Sequence, residues 1–304
     1  MPRSTVFPSS LGMLWALLRP HHWIKNGFLV APLFFTPSAV NARSVAVVTL
    51  GVISFSALSS AVYILNDYLD RDADRAHPVK RTRPLAAGLV PVPAALTLMA
   101  ALAAGGLVLA AALSPLFALV AGAYLLNNLL YSLRLKHVAI VDAFLIALGF
   151  LLRVQGGAIL AGVTLSAWIM IMTGLLALFL AMAKRRDDLV KGLSGDHRRS
   201  LEGYNKPFLD AAMVVLLAAV LVAYLIYTTD QEVMARLRTD QLPLTAPFVV
   251  AGLLRYLQIV LVEERSGSPT TLLLTDRFLI AAVVGWIATF GVLLYGCHTG
   301  CWPR

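Results

Sequence analysis

Charged side chains are scarce in this sequence. Only 13% of its 304 residues are Asp, Glu, Lys or Arg, whereas 59% are hydrophobic. A soluble domain carries about a quarter charged residues. Several apolar runs reach about 20 residues, the length that crosses a bilayer core of about 30 Å. The composition therefore excludes an ordinary soluble domain and predicts an all-α, polytopic integral membrane protein.

Cysteine is almost absent as well. Cys297 and Cys301 are the only two, and both lie near the end of the sequence. Two neighbouring thiols cannot organise a disulfide or metal framework for a whole fold, so they form either a small terminal disulfide or an unimportant pair. The opening residues are rich in Pro and Ser and predict no cleaved signal peptide. No linker or low-complexity stretch interrupts the chain, so we expect one membrane-embedded catalytic domain over residues 1–304.

Hydropathy predicts about nine transmembrane helices. We place them near residues 24–40, 45–69, 91–113, 115–133, 138–161, 164–184, 207–229, 244–262 and 277–296. Before the first span, one helical face carries Leu11, Leu14, Trp15 and Leu18, and the pattern stops at Pro20. This pattern predicts a short N-terminal helix within residues 1–20 that lies in the membrane interface.

Positive charge is distributed unequally between the predicted loops. Most Lys and Arg residues fall in loops that share a side with the N-terminus, including 70–90 and 185–206, whereas the other side holds only Arg43, Arg236, Arg238 and Arg304. Cytoplasmic loops carry an excess of Lys and Arg. We therefore expect a cytoplasmic N-terminus and an external C-terminus. This topology, with attraction to anionic lipids, also explains the net charge of +9 without a nucleic acid partner.

The most informative polar stretch closes the second predicted span. At about 100° per residue, Asn66, Asp67, Asp70 and Asp74 share one side of a helix, and Asp72 falls on the other. Stacked carboxylates repel each other, and a divalent cation removes that cost. Mg²⁺ prefers hard oxygen ligands that it shares with substrate phosphates. The spacing therefore predicts a Mg²⁺-bound diphosphate site, with Mn²⁺ as a substitute, unless the stretch is merely a solvated helix end.

Basic residues follow the acidic ones directly. Lys80, Arg81 and Arg83 lie between Pro78 and Pro84. Beside a bound diphosphate, such side chains would complete its neutralisation, and Arg can bind it in a bidentate manner. The alternative is that they only follow the positive-inside rule.

Asp142 and Arg153 lie within one apolar segment. Eleven residues of helix place them on the same face but about 16 Å apart along the axis. Each must therefore find another partner, and ionisable groups inside a membrane are candidates for function or for a structural ion pair between helices. Further polar candidates stand at span ends, where interface anchors are the alternative: Lys25, Asn26, Tyr131, Lys136, Lys184 and Arg185.

The pattern N-D-x-x-D-x-x-x-D at residues 66–74 resembles the first signature of the UbiA-type intramembrane prenyltransferase superfamily. This resemblance implies an all-helical bundle with a cytoplasm-facing polar cavity and a lateral opening for a polyprenyl chain. Members usually carry a second motif, D-x-x-x-D, and hold a prenyl diphosphate through Mg²⁺. Here the second motif is half missing, because Asp142 is followed four residues later by Ile146.

Longer blocks are similar to one branch of that superfamily, the decaprenyl-phosphate phosphoribosyltransferases. They cover nearly the whole chain and include RPHHWIKN at 19–26, NDYLDRDADRAHPVKRTRPLAAG at 66–88, YSLRLKHVAIVD at 131–142, GFLLRVQGGA at 149–158, AKRRDDL at 183–189 and RRSLEGY at 198–204. The resemblance implies transfer of a 5-phosphoribosyl group from phosphoribosyl pyrophosphate to a polyprenyl (decaprenyl) phosphate. The product would supply arabinan or related pentose donors for a bacterial cell envelope, at the inner membrane.

The resemblance also implies roles for individual residues. Asn66, Asp67, Asp70 and Asp74 would be the catalytic and metal-binding set. The substrate phosphates and ribose would be contacted by Lys25, Asn26, Lys80, Arg81, Arg83, Tyr131, Lys136, Asp142, Arg153, Lys184 and Arg185. A 5-phosphate favours cations over a second carboxylate, which is consistent with the incomplete second motif. Asp142 could support the metal, the ribose hydroxyls or the orientation of basic residues.

Two other functions stay open at this point. One is Mg²⁺-dependent prenyl transfer to an aromatic or other acceptor. The other is a lipid-carrier transporter, for which internal repeats with broken helices would be expected, and no repeat is evident. Polyprenyl length and oligomeric state, a trimer included, do not follow from the sequence.

Overall fold

A computed structural model describes residues 10–76, 80–192, 199–264 and 269–296. Within these ranges the chain forms thirteen α-helices joined by short 3-10 helices and turns. Cys297, Cys301 and part of the predicted 185–206 loop lie outside the described residues.

Eight of the described helices are long and apolar enough to cross a membrane. They are α3 (Ala42–Leu69), α5 (Val92–Leu113), α6 (Pro115–Leu133), α7 (Val141–Ala161), α8 (Ala167–Val190), α9 (Lys206–Thr229), α11 (Ala246–Leu261) with the turn before it, and α13 (Arg277–Tyr295). The short helices are α1 (Ser10–Leu18), α2 (Ala31–Phe34), α4 (Arg71–Ala76), α10 (Gln231–Leu237) and α12 (Pro269–Thr275). The expected all-α, polytopic membrane architecture is confirmed.

The predicted span at 24–40 is not one long helix. Residues Pro20–Leu29 form a 3-10 helix, α2 follows, and Pro37–Ala39 form a second 3-10 turn. Each piece has a proline in its first positions, where the missing amide hydrogen is tolerated but a preceding helix cannot continue. The segment still passes along the bundle, from Arg19 beside α3 to Phe35 beside α13. We call this segment the broken crossing.

Glycines in α7 allow the broken crossing to pack closely. A Cβ added at Gly157 would lie 2.0 Å from the carbonyl oxygen of Leu29, and one at Gly156 would lie 2.9 Å from the ring of Phe117. Small residues at such contacts let backbones approach each other within a membrane. As a result α7 contacts α3, α6, α8 and the broken crossing, which makes it a central helix of the bundle.

The connections after α3, α6, α8 and α11 share one end of the bundle. Lys136, after α6, contacts Asp70 at the end of α3, and Lys206, at the start of α9, contacts Glu264 after α11. The connection between α7 and α8, together with α10, lines the opposite end. The polar residues of interest therefore gather at one end of the bundle, and we call it the polar end.

Helix α1 packs on the polar end through a residue that the sequence pattern did not select. Leu17 is fully buried against Ile64 and Leu85, whereas Leu14 and Trp15, on the predicted apolar face, are exposed. One side of α1 therefore anchors to α3, and the other leaves apolar side chains free to meet lipid.

Helix α8 is longer than its predicted span at 164–184, because it continues to Val190. The part of the predicted 185–206 loop that comes first is therefore helical. Its residues Arg185 and Arg186 are buried, since each has a carboxylate partner in another helix, Asp142 and Asp210. Hydropathy alone ends the span too early because it counts these paired charges as solvent-facing.

Candidate active site

The acidic cluster lies where α3 meets α4. Helix α3 ends at Leu69 and Asp70 caps it, and the short helix α4 follows from Arg71, so the acidic cluster spans two helices rather than one. The helical phase is nearly kept, because the amides of Asp70 and Asp74 donate to carbonyl oxygens four residues earlier at 2.9 and 2.8 Å. Asp67 and Asp74 consequently stay on one side, and the side chain of Asp72 is 76% exposed on the other, as the helical phase predicted.

Two carboxylates of this cluster converge on one point. Nη1 of Arg83 lies 3.1 Å from Oδ1 of Asp67 and 2.6 Å from Oδ2 of Asp74. Both acids are buried. Arg19 adds a second guanidinium to Asp67 at 2.5 Å, and Nζ of Lys80 lies 4.0 Å from Asp74. The repulsion between the two acids is thus relieved by basic side chains of the same chain.

Asp70 faces a different partner. Its side chain is 40% exposed, and its Oδ1 accepts a hydrogen bond from Nζ of Lys136 at 2.6 Å. Lys136 belongs to the 3-10 turn Leu135–His137, so this ion pair ties the connection between α6 and α7 to the acidic cluster. Asn66 lies one turn earlier on α3 and is partly buried.

The donor set at this place fits Mg²⁺. Within the described ranges, no three His, Cys, Asp or Glu side chains surround a metal-sized site by themselves. Mg²⁺, however, is usually held by one or two carboxylates together with substrate phosphates and water. Asp67 and Asp74 already share one cationic partner, which brings their oxygens together. The protein thus offers two hard oxygen ligands, and a phosphorylated substrate would supply others.

Arg153 is a buried cation with neutral partners. It donates from Nε to Oδ1 of Asn26 at 2.8 Å, from Nη1 to the carbonyl of Gly149 at 2.8 Å and from Nη2 to the hydroxyl of Tyr124 at 2.9 Å. Asn26 is held in turn by Ser56 at 3.0 Å. Arg153 is 5% exposed and makes no ion pair with any described carboxylate. A buried charge of this kind is costly unless an anion joins it.

Other predicted substrate residues lie around the same end. Lys25 precedes Asn26. Its ammonium group lies close enough to Arg153 and Lys184 to be repelled by their positive charges. Lys184 lies 3.7 Å from Asp188, and its side chain is 43% exposed. Arg81 is exposed, and Tyr131 is close enough to Arg185 to interact with it electrostatically.

Asp142 and Arg185 form a fully buried ion pair. Nε of Arg185 lies 2.6 Å from Oδ2 of Asp142, and both residues are fully buried. Asp142 also accepts hydrogen bonds from Ser200 at 3.2 Å and from the hydroxyl of Tyr204 at 3.0 Å. Burial, with the nearby carboxylate, raises the pKa of Tyr204 to about 12, so its hydroxyl stays protonated as a donor. As expected, Asp142 and Arg153 have separate partners.

Sequence reasoning missed four residues of these networks: Arg19, Tyr124, Ser200 and Tyr204. Arg19 and Tyr204 stand inside the blocks RPHHWIKN and RRSLEGY, but nothing in either block indicates which distant carboxylate they contact. Tyr124 lies in an apolar run where a phenol has no distinguishing signal.

A cavity of about 670 Å³ lies at the opposite end of the bundle. It is lined by residues such as Phe35, Tyr227, Arg236 and Trp286, and it contains none of the predicted site residues. The chemistry that the sequence indicates is therefore concentrated at the polar end, away from this cavity.

Comparison with known proteins adds independent information. Residues 6–265 match the UbiA prenyltransferase family. The chain is 33% identical over 295 residues to the decaprenyl-phosphate phosphoribosyltransferase of Mycolicibacterium smegmatis, covering 91% of each chain. It is also 33% identical to the enzyme of the same name from Corynebacterium glutamicum, over 93% of this chain and 87% of that one.

The fold is similar to a solved structure of a UbiA homolog from Archaeoglobus fulgidus bound to GPP and Mg²⁺. The TM-score is 0.70 at 22% sequence identity, and the alignment covers 93% of this chain and 99% of that one. At this identity the likeness concerns the helical architecture alone.

Proposed function

The chain belongs to the UbiA prenyltransferase family, and we propose that it transfers the 5-phosphoribosyl group of phosphoribosyl pyrophosphate to a polyprenyl phosphate. Pyrophosphate is the second product. Relatives that carry the name decaprenyl-phosphate phosphoribosyltransferase support this reaction, since they align over about nine-tenths of the chain. The polyprenyl phosphate is taken to be decaprenyl phosphate by the same comparison.

The observation that carries the proposal is Arg153. An arginine buried in the bundle without a described carboxylate partner favours a pair of substrates with more phosphate groups than a prenyl diphosphate and an aromatic or other acceptor have. Phosphoribosyl pyrophosphate has a 5-phosphate besides its diphosphate, and the acceptor adds another phosphate. The position four residues after Asp142 is Ile146 rather than an acid, which also favours this substrate.

We assign Asp67 and Asp74 as the main protein ligands of Mg²⁺, with Asn66 and Asp70 on the same turns. When bound, Mg²⁺ would neutralise the diphosphate and stabilise the charge on departing pyrophosphate. Arg83 already lies at Asp67 and Asp74, and Lys136 lies at Asp70; both cations would pass from acid to phosphate when substrate arrives.

The remaining basic residues bind the other phosphates and the ribose in this proposal. They are Lys25, Lys80, Arg81, Arg153 and Lys184, with Asn26 and Tyr131 as neutral partners. Arg185, which the sequence also suggested for this role, is fully buried against Asp142 and is left out of the contacts to substrate. Bond breakage between C1 and the pyrophosphate oxygen develops positive charge on the ribose ring, as in other glycosyl transfers. A phosphate oxygen of the lipid then bonds to C1 from the opposite face, so we expect inversion. That oxygen is already anionic, and no general base is required.

The polar end faces the cytoplasm of a bacterial inner membrane in this proposal. Its support is the excess of Lys and Arg at that end. Phosphoribosyl pyrophosphate is a cytoplasmic metabolite, so donor and site would share a compartment. The product would serve cell-envelope pentose donors.

The test supplies purified protein with labelled phosphoribosyl pyrophosphate, Mg²⁺ and polyprenyl phosphate. We expect label in the lipid extract, lost with EDTA and in Asp74→Ala. A parallel reaction contains labelled prenyl diphosphate and an aromatic acceptor. Consumption of prenyl diphosphate with no ribosyl label would select ordinary prenyl transfer and reject the proposal.

A further inference from the structure

The connection between α6 and α7 ends in an unusual backbone conformation. Ile140 has φ +69° and ψ −51°. A β-branched residue rarely adopts positive φ, because its side chain clashes with its own backbone, and such residues persist only where the surroundings hold them. The connection therefore needs an anchor.

The anchor comes from the connection that follows α8. The amide of Ile140 donates a hydrogen bond to the hydroxyl of Tyr204 at 2.5 Å, and that hydroxyl donates to Oδ1 of Asp142 at 3.0 Å. The two connections also touch beside the tyrosine, since a Cβ added at Gly203 would lie 2.5 Å from the Cβ of Ala139. Tyr204 thus joins two backbone segments to one buried carboxylate.

Asp142 presents no exposed oxygen to a metal or a sugar in this arrangement. Its Oδ2 accepts from Arg185 and Ser200, its Oδ1 accepts from Tyr204, and the residue is fully buried. Carboxylates that ligate Mg²⁺ need an oxygen directed at the ion. The one acid of the incomplete second motif, Asp142, therefore binds side chains of the protein rather than a metal or a substrate.

Three residues lie between Lys136 and the anchored Ile140. Between them, the amides of His137 and Val138 bond back to Arg134 and Leu135 at 3.2 Å each, which makes the turn compact. A compact turn with one end fixed also fixes the other end, where Lys136 meets Asp70.

We infer that Asp142 is a positioning residue: through Tyr204 it holds the 134–140 connection and thereby places Lys136 beside Asp70. The inference rests on the proposed function only in the role given to Lys136 at the diphosphate. The anchoring itself concerns the protein without substrate. Tyr204 and Ser200 contribute to the same positioning, because both donate hydrogen bonds to Asp142.

The first test is amide hydrogen exchange in the substrate-free protein. Tyr204→Phe removes only the hydroxyl, so exchange of the peptide containing Ile140 should accelerate by about tenfold or more, in line with loss of one buried hydrogen bond. Tyr224→Phe is the matched control, because its hydroxyl bonds Thr245 and Trp286 in the other half of the bundle. Unchanged exchange at Ile140 in Tyr204→Phe overturns the inference, whatever reaction the protein catalyses.

The second test separates positioning from a loss of folded protein. In Tyr204→Phe, the KM for phosphoribosyl pyrophosphate should rise about five- to tenfold, while the KM for polyprenyl phosphate stays unchanged. A merely structural role would lower the active fraction and leave both KM values alone, which would contradict us. If wild-type protein transfers no ribosyl group, the proposed function fails and the exchange result still decides the inference.

A double variant tests whether Tyr204 acts through the turn that ends at Ile140. Glycine adopts positive φ without strain, so Ile140→Gly should make the turn less dependent on its anchor. The KM effect of Tyr204→Phe should therefore shrink at least threefold in the Ile140→Gly background. Full additivity of the two substitutions would show that Tyr204 acts elsewhere and would reject the inference.

Discussion

Replacing Arg153 with methionine tests whether this buried cation serves substrate or fold. Methionine keeps an unbranched side chain but removes the charge and three hydrogen bonds, to Asn26, Gly149 and Tyr124. Hydrogen bonds from a charged donor contribute about 1.5–3 kcal/mol each. Methionine also removes the cost of burying an ion that has no carboxylate partner, and this change stabilises the folded state by several kcal/mol. The two effects oppose each other, so the free energy of unfolding should change by no more than about 2 kcal/mol.

Substrate binding should respond far more strongly than stability. Removing one partner of a buried ion pair costs about 3–5 kcal/mol. If Arg153 holds a phosphate, kcat/KM for phosphoribosyl pyrophosphate should fall roughly 150- to 5,000-fold. The assay measures lipid-extractable ribosyl label against donor concentration, and a thermal melt in the same detergent reports folding.

Arg255→Met is the matched control for this experiment. Arg255 also lies in a spanning helix, but its charge is balanced by Glu263 and Asp276 at 2.6 and 2.8 Å. Its replacement should leave kcat/KM within about threefold of wild type, as expected of surface ion pairs. If Arg153→Met also retains kcat/KM within threefold, the assignment of Arg153 to a substrate phosphate is refuted.

Three further predictions concern other parts of the bundle. Asp74→Asn should abolish Mg²⁺-dependent transfer, whereas Asp72→Asn, in an exposed side chain of the same helix, should keep at least half the activity; equal loss in both variants would contradict the facial assignment. Gly157→Ala should destabilise the fold by about 1–3 kcal/mol in a thermal melt, because the added Cβ would lie 2.0 Å from a backbone carbonyl oxygen. Gly122→Ala is the control and should leave stability unchanged, because a Cβ there meets open space. The effect of Tyr204→Phe should stay constant from about pH 6 to 10, because the raised pKa of about 12 keeps the hydroxyl protonated until the pH rises through that value; a difference that vanishes near pH 8 would argue otherwise.

The long helices could be predicted from hydropathy, since apolar length is what a bilayer selects. The broken crossing could not, because a hydropathy average is insensitive to the prolines that divide residues 20–39 into short pieces. The end of α8 was also missed, since its charges are neutralised by Asp142 and Asp210 from other helices.

Only the part of the site that depends on local helical geometry could be predicted from the sequence. Helical phase alone places Asp67 and Asp74 together, because both lie on one chain segment. Their shared partner Arg83 is also local, because it lies nine residues after Asp74. Other basic partners of the cluster come from distant segments: Arg19 lies 48 residues before Asp67, and Lys136 lies 66 residues after Asp70. Contacts at such separation depend on how the helices pack, and the sequence pattern of one helix contains no information about them.

A structure with Mn²⁺ and phosphoribosyl pyrophosphate tests the central claim most directly, because the ion can be located by its anomalous scattering. The proposal predicts that oxygens of Asp67, Asp74 and the diphosphate would coordinate the ion directly, with Arg83 moved onto a phosphate. An ion bound elsewhere, with the Arg83 contacts to both carboxylates intact, would contradict it.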